Sequence, residues 1–461
     1  MNRKQFSAGK LVTALVVGGA AMVGAQEAHA VPAFARQLGV SCAACHTVEP
    51  QLTSFGRQFK SLAYTFNSGS NNTIGYEQDN QKRLAIDKIP PIALMLVADQ
   101  VQESKQAPAG YNSTATAYTT GAAVSNPATE FPVQYSLFYA GRAGTDLGVF
   151  SQLTYDPTAD HITIDNTDVR YAKESQVGGG NLVWGLDVNN APGVGDLWQS
   201  TPIWGYPFTG PNAGQGGPND GTLLGQVVLQ QTSAGAGAYV WYNNTWYAQV
   251  MAYRAMIPGD QTNSGGLAGV APYWRLAYSH EGGVNSWEIG TFGIDAKMYQ
   301  NGNTGPENHY VDTALDGQYE HVATNYSYTF HASYIHENMT IPGAPNTKAD
   351  VNDFQVNGEY YWHRKYGVLA QYFTHTGKKN AAVWGGGDQY GVAQSDGVSA
   401  NGKPNTNGYV LQFNYVPWIN TKFGVQYVAY TKFDGASSNY DGLGRNASDN
   451  NTLSFFTWIM M

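Results

Sequence analysis

The run Ser41-Cys42-Ala43-Ala44-Cys45-His46-Thr47 holds the only two cysteines of the chain, two residues apart, with a histidine directly after them. Thiols at this spacing can add across the two vinyl groups of a haem and tether the macrocycle, and the imidazole that follows is then presented to the iron. Cys42 and Cys45 are therefore expected to carry one covalent haem c, with His46 as the proximal iron ligand. A zinc half-site and a structural or redox disulfide are the alternatives for the same residues. Zinc calls for about four ligands, and the chain offers no second Cys/His pair. A C-x-x-C redox disulfide has no need of the histidine.

Such chemistry belongs outside the cytoplasm, and the N-terminus agrees. Arg3, Lys4 and Lys10 precede an apolar stretch from Leu11 to Ala25, followed by Ala28-His29-Ala30. This reads as a secretory signal peptide over 1–30 with an A-x-A cleavage site. Residues 31–75 read as a compact helical haem domain. Pro32 suits the first turn of a helix and Gly39 its end. Leu52, Phe55, Phe59 and Leu62 recur at three- and four-residue spacing, one apolar face sized to cover a haem. Asn67 to Thr73 is polar and rich in Asn, Ser and Gly, and reads as a linker.

The remainder, 76–461, is too long for a cytochrome domain and has another composition. Charged residues make up 13% of the chain, about half of the roughly 25% typical of soluble proteins. The chain carries 31 Tyr, 11 Trp and 54 Gly. Beyond the signal peptide no apolar run is long enough for a spanning helix. From Ile89 the apolar pattern has period two. Tyr409, Leu411, Phe413 and Tyr415 share one face, and Gln412 and Asn414 the other. Trp246, Ala248, Val250 and Ala252 oppose Gln249. Tyr326, Tyr328 and Phe330 oppose Ser327, Thr329 and His331. That alternation predicts an all-β fold, a transmembrane outer-membrane β-barrel of about 16 strands, apolar outside and polar inside. A secreted sandwich or β-helix is the soluble alternative.

Strands are expected to begin near residues 89, 131, 146, 161, 181, 235, 245, 270, 285, 308, 324, 350, 366, 408, 421 and 451. With the N-terminus periplasmic, the even connections fall on the periplasmic side. These are short, as at Asn243-Asn244 and His363-Arg364. Odd ones include the long segments at about 103–130, 189–233, 377–407 and 433–450. Short periplasmic turns and long outer loops are the asymmetry of such barrels. A barrel of this size is expected to enclose a water-filled lumen, with the haem domain as a plug inside it or at its periplasmic mouth. The net charge of −9 argues against nucleic acid as a partner and suits cations near the surface. Outer-membrane lipid is the partner the barrel implies.

The haem domain has no methionine and no histidine besides His46, so a sixth iron ligand must come from the barrel. Met95 is the first candidate. It shares the lumen-facing parity of Asp99 on the first strand, and a thioether there raises the reduction potential. His331 is the second, and an open coordination site the third. The loop carboxylates Asp196 and Asp220 are either a cation-attracting pair or plain solvated loop charge.

Pro32-Ala33-Phe34-Ala35-Arg36-Gln37, the CAACHT run, Phe55-Gly56-Arg57-Gln58-Phe59-Lys60 and Tyr64-Thr65-Phe66 together resemble a known family, the fused monohaem cytochrome–porins of iron-oxidising bacteria. A second match lies at Asn189-Asn190-Ala191-Pro192, Asp196-Leu197-Trp198 and Thr201-Pro202-Ile203-Trp204-Gly205. The resemblance implies an outer-membrane oxidoreductase. It would take electrons from extracellular Fe(II) and pass them through its one haem to a periplasmic c-type cytochrome or cupredoxin. A diffusion porin with a regulatory haem and a surface haem peroxidase are the competing classes.

Overall fold

The computed structural model describes residues 31–66, 73–74, 86–87, 90–106, 125–156, 161–211, 221–256, 266–385, 399–418 and 420–461. The expected signal peptide, most of the expected linker and Asp220 lie outside these residues.

Sixteen antiparallel strands form a closed barrel. They are β1 (Ile92–Glu103), β2 (Ala128–Arg142), β3 (Leu147–Asp156), β4 (His161–Val177), β5 (Gly180–Asn189), β6 (Ser233–Tyr242), β7 (Trp246–Ala255) and β8 (Ala271–Gly282). The rest are β9 (Asn285–Asn301), β10 (Thr304–Val322), β11 (Tyr326–Thr340), β12 (Lys348–Trp362), β13 (Tyr366–Gly377), β14 (Thr406–Trp418), β15 (Thr421–Lys432) and β16 (Thr452–Met460). Each strand pairs with its neighbours in sequence. β16 pairs back to β1, with Met460 opposite Met95. Closure leaves no strand edge with unpaired backbone groups, the condition for crossing hydrocarbon with strands. Among the described residues no helix is long and apolar enough to cross a membrane.

The period-two reading gives the correct faces. Leu411 and Phe413 are 57% and 48% exposed, whereas Gln412 and Asn414 between and beside them are buried. Trp246 and Val250 face outward and Gln249 inward. Tyrosines and tryptophans ring the exterior near the short-turn end, as with Trp362, Tyr366 and Tyr415, whose rings stack in sequence. Such an aromatic girdle marks the membrane interface of a barrel. The largest displacement of a strand start is at β10, which begins at Thr304 rather than near 308. β9 and β10 run on past the apolar band and join by a two-residue turn at Gly302 and Asn303, where polar residues such as Asn301 and Glu307 hide the alternation. Asn243 and Asn244, and likewise His363 and Arg364, all take positive φ near 50°. Paired left-handed residues make the primed two-residue turns whose twist matches flanking strands.

Three short helices precede the barrel: α1 (Pro32–Leu38), α2 (Cys42–Cys45) and α3 (Ser54–Ser61). Pro32 opens α1. Gly39 closes it with φ 68°, its N–H donating to Ala35 O. The helices lie inside the short-turn end of the barrel. The Arg364 guanidinium donates to Ala43 O across 3.1 Å, and Arg142 N donates to Gln37 Oε1 across 3.1 Å.

The lumen holds more than the plug the sequence predicts: beside the helices, the described interior holds the folded connection between β5 and β6. Leu223, Leu224 and Leu229 of that connection pack in a buried cluster with Tyr253, Ile294 and Met339 from the barrel wall. Thr222 N, Leu223 N and Leu224 N donate to the wall carboxylates of Asp353, Glu337 and Asp312 at 2.7, 2.7 and 2.8 Å. A loop too apolar and too well hydrogen-bonded to remain in solvent has become an inner layer.

Candidate functional site

The attachment motif occupies α2 and the residue after it. His46 N donates to Cys42 O at 2.9 Å, ending the helix so that the imidazole leaves at its C-terminus. Thr53 fastens this turn to α3. Its N–H donates to Cys45 O at 2.8 Å and its hydroxyl to Ala44 O at 2.6 Å, while the same Oγ1 caps Gly56 N at 3.3 Å. Gly56 is the contact point of the two helices, since a Cβ there would collide with Cys45 O. Of the expected apolar face, Leu52 and Phe59 line the site. Phe55 instead packs on Phe66 with ring centroids 5.0 Å apart, and Leu62 packs on the cluster around Trp198 and Trp241. The eight-residue helix turns a third side inward, because Arg57 must reach the barrel.

Cys42, Cys45 and His46 open together onto a cavity of about 500 Å³, within the range of ligand sites. Its far walls are the inner faces of β15, β16, β1, β2 and β3, with the β5–β6 loop as its lid. Met95 lines it, buried to 7% exposure. The two thiols are not joined to one another. Burial, and secondarily the neighbouring Cys42, pushes the Cys45 thiol up to about 12. A thiol so protonated is a poor redox nucleophile. His46 Nδ1 lies 3.1 Å from Pro50 O. An N–H donated there leaves Nε2 as the bare nitrogen on the cavity side. Burial lowers the imidazole's pKa, against smaller opposing effects of Glu49 and the Pro50 and Gln51 backbone, which favours the neutral, ligating form. The site fits a haem: two thiols and an oriented imidazole border one cavity, and its walls carry Phe34, Phe59, Phe138, Phe150 and Trp458.

His331 is not brought to this cavity. It is buried on β11 with Nδ1 3.0 Å from Asn357 Oδ1, and the Tyr206 ring, 5.8 Å away centroid to centroid, is its neighbour. Met460, Trp458 and Lys422 do line the cavity and were not singled out from the sequence. Their inward parity was readable, but their proximity to Met95 depends on β16 closing against β1. Asp196 is neither cation-attracting nor solvated, contrary to both sequence readings. It is fully buried. Its carboxylate accepts from Trp198 N at 3.0 Å, Ser200 N at 2.9 Å and Thr201 N at 3.1 Å, and lies 3.2 Å from Arg275 Nε. Burial alone would raise its pKa, but Arg275 and these N–H groups hold it below the ordinary carboxylate value.

The plug is bolted to the wall by buried charge. The Arg57 guanidinium donates to both carboxylate oxygens of Glu281 at 2.9 and 2.8 Å and to Ser286 Oγ at 2.7 Å. Tyr64 OH donates to Asp168 at 2.7 Å, and Tyr239 OH to Ser61 O at 2.6 Å. The loop is bolted to the plug in turn. Lys60 Nζ donates to Val194 O and Asp196 O, both at 2.7 Å, and sits 4.3 Å above the Trp204 ring. Leu52 N donates to Gln199 Oε1 at 2.9 Å. Removing one partner of a buried charged pair costs about 3–5 kcal/mol, so plug, loop and wall behave as one packed unit.

No protein-family model matches the chain, and no curated protein sequence matches it. Solved structures similar to it are bacterial barrels. OmpF of Salmonella typhi, in complex with daunomycin, is 12% identical with a TM-score of 0.45, covering 80% of this chain and 97% of that one. Outer-membrane expressed OmpT of Vibrio cholerae is 10% identical with a TM-score of 0.42, covering 83% and 99%. The anion-selective porin from Comamonas acidovorans is 10% identical with a TM-score of 0.44, covering 80% and 98%. The barrel of this chain is established by its own strand pairing.

Proposed function

We propose that this chain is an outer-membrane c-type cytochrome fused to a porin-like barrel. It acts as an Fe(II):cytochrome c oxidoreductase, accepting electrons from extracellular Fe(II) and delivering them to a periplasmic c-type cytochrome or cupredoxin. The observation that carries this reading is the single cavity where Cys42, Cys45 and His46 meet Met95 inside a closed barrel. Haem c bound there supplies a one-electron redox centre.

The chain's own residues supply the rest. Cys42 and Cys45 would tether the group, and His46, oriented through Pro50 O, would offer its imidazole to the iron. Met95 would offer a thioether, which favours a high potential suited to an Fe(II) donor. The aromatic walls and the overlying β5–β6 loop would give the group a largely apolar setting. A hydrocarbon layer of about 30 Å is wider than one cofactor can bridge, so the barrel serves as an insulating sleeve around a centre reached from both ends. The plug end, with its short turns, is the periplasmic end in this reading, and the long loops meet Fe(II) outside.

The direct experiment is to mix purified, oxidised protein with Fe(II) and follow the visible haem bands. Reduction of one haem per chain is expected. A covalently bound haem that stays oxidised at the working pH overturns the iron-oxidising reading. A diffusion porin whose haem has another role is the competing class, and the packed lumen counts against it.

A further inference from the structure

Lys422 differs from the other fully buried cations of the described interior. Arg57, Arg170 and Arg275 each reach a carboxylate at 2.8 Å. Arg445 donates to Asn450 Oδ1 at 2.7 Å, and Lys60 to two carbonyls. Lys422, on β15, is buried to 4% exposure. Its contact is with an aromatic face: Nζ lies 4.6 Å from the ring centroid of Trp458, its cross-strand partner on β16. Glu49 and Glu359 are near enough to feel its charge. Among the described residues, neither forms an ion pair with it of the kind that Arg57, Arg170 and Arg275 make.

An ammonium removed from water costs several kcal/mol unless an anion accompanies it. A ring face compensates only in part. Glu49, which lines the cavity bordered by His46, and Glu359 act on the amine only from beyond ion-pair distance, which leaves a place for an anion carried by what fills the space in front of it. Lys422 and Trp458 both line the cavity that Cys42, Cys45 and His46 open onto. We infer that Lys422, steadied on Trp458, is the cation that receives a carboxylate of the group held in this cavity, a propionate if that group is haem c. This assignment rests on the haem reading above. The shared chemistry is a carboxylate, and the ammonium–carboxylate pair is a charge-assisted hydrogen bond whose positive end lies beside the redox centre. It favours the reduced state.

The test compares wild type, Lys422→Gln and Lys422→Arg, each purified as holoprotein carrying haem labelled with 13C in its propionate carboxylates. Covalent haem content, visible spectrum, midpoint potential and the redox-difference infrared bands of the labelled carboxylates are measured. Lys422→Gln should keep its haem and its low-spin spectrum, lose the wild-type carboxylate band position, and shift to lower potential. Lys422→Arg should restore both band and potential. An unmoved carboxylate band and potential in Lys422→Gln, with normal haem content, overturns the inference while leaving the haem reading intact. Loss of the low-spin spectrum in Lys422→Gln also overturns it, by placing the amine on the iron instead. A wild-type chain that matures with no covalent haem overturns both. Should Lys422→Gln fail to fold, Lys422→Met, of similar volume and no charge, takes its place with the same expected shifts.

Discussion

Met95 and Met460 face one another across the seam between β1 and β16, and both reach the cavity that His46 borders. The first was legible in the sequence because Asp99 fixes the inward parity of its strand. The second was not, because nothing local says which strand its own will pair with. On the haem reading proposed above, two thioethers are therefore placed to compete for one position on the iron. Met95→Ala should abolish the thioether-to-iron charge-transfer band and lower the midpoint potential, while Met460→Ala should leave the band in place. Visible spectra and potentiometric titration of the two variants decide it, and the opposite pattern moves the ligand to Met460. Asp196 teaches a related lesson. A carboxylate in a long loop reads as solvated only while the loop is assumed to lie in solvent. Burial, Arg275 and three backbone N–H groups have instead made it a structural hub.

The elements most visible in the sequence were those with a repeating pattern. The strands were found from their alternation and several short turns from the break in it, though the Gly302-Asn303 turn, where polar residues hide the alternation, was not. α1 was bounded by Pro32 and Gly39. The β5–β6 connection has no such period, and its fold is dictated by partners far away in sequence. Asp312, Glu337 and Asp353 accept its N–H groups at one end, and Arg275 and Lys60 grip it at the other. Its local signals were the NNAP, DLW and TPIWG stretches, and Ile203, Trp204 and Gly205 of the last line the cavity. Asp196→Ala should release the loop. Three buried N–H donors lose their acceptor and Arg275 loses one of its three neighbouring carboxylates, at a cost of about 3–5 kcal/mol. The urea midpoint of the detergent-solubilised protein should fall accordingly. An unchanged midpoint would mean that the loop is held in place without this hub.

At the scale of the molecule, the barrel is a wall built around contents rather than around a channel. Sequence alone gave the number of strands, the side each residue faces and the N-terminal helices as a plug, but not the folded β5–β6 loop beside them, since a polar inner face suits water and a packed loop equally well. The difference is measurable. In planar bilayers the intact protein should lack the steady conductance of an open sixteen-strand pore, whereas Arg57→Ala, which frees Glu281 and loosens the plug, should leak. Sustained conductance by the unaltered protein would contradict the packed interior. The closing seam carries a further consequence, for manufacture. The wall behind the cavity is contributed by the first strand and the last, Met95 and Val97 from one and Trp458 and Met460 from the other. That wall does not exist until the ends of the sheet have zipped together. On the haem reading, a container that shuts over a covalently fixed passenger has to be loaded beforehand, so attachment would precede closure, and the final strand would act as a latch on a finished cargo.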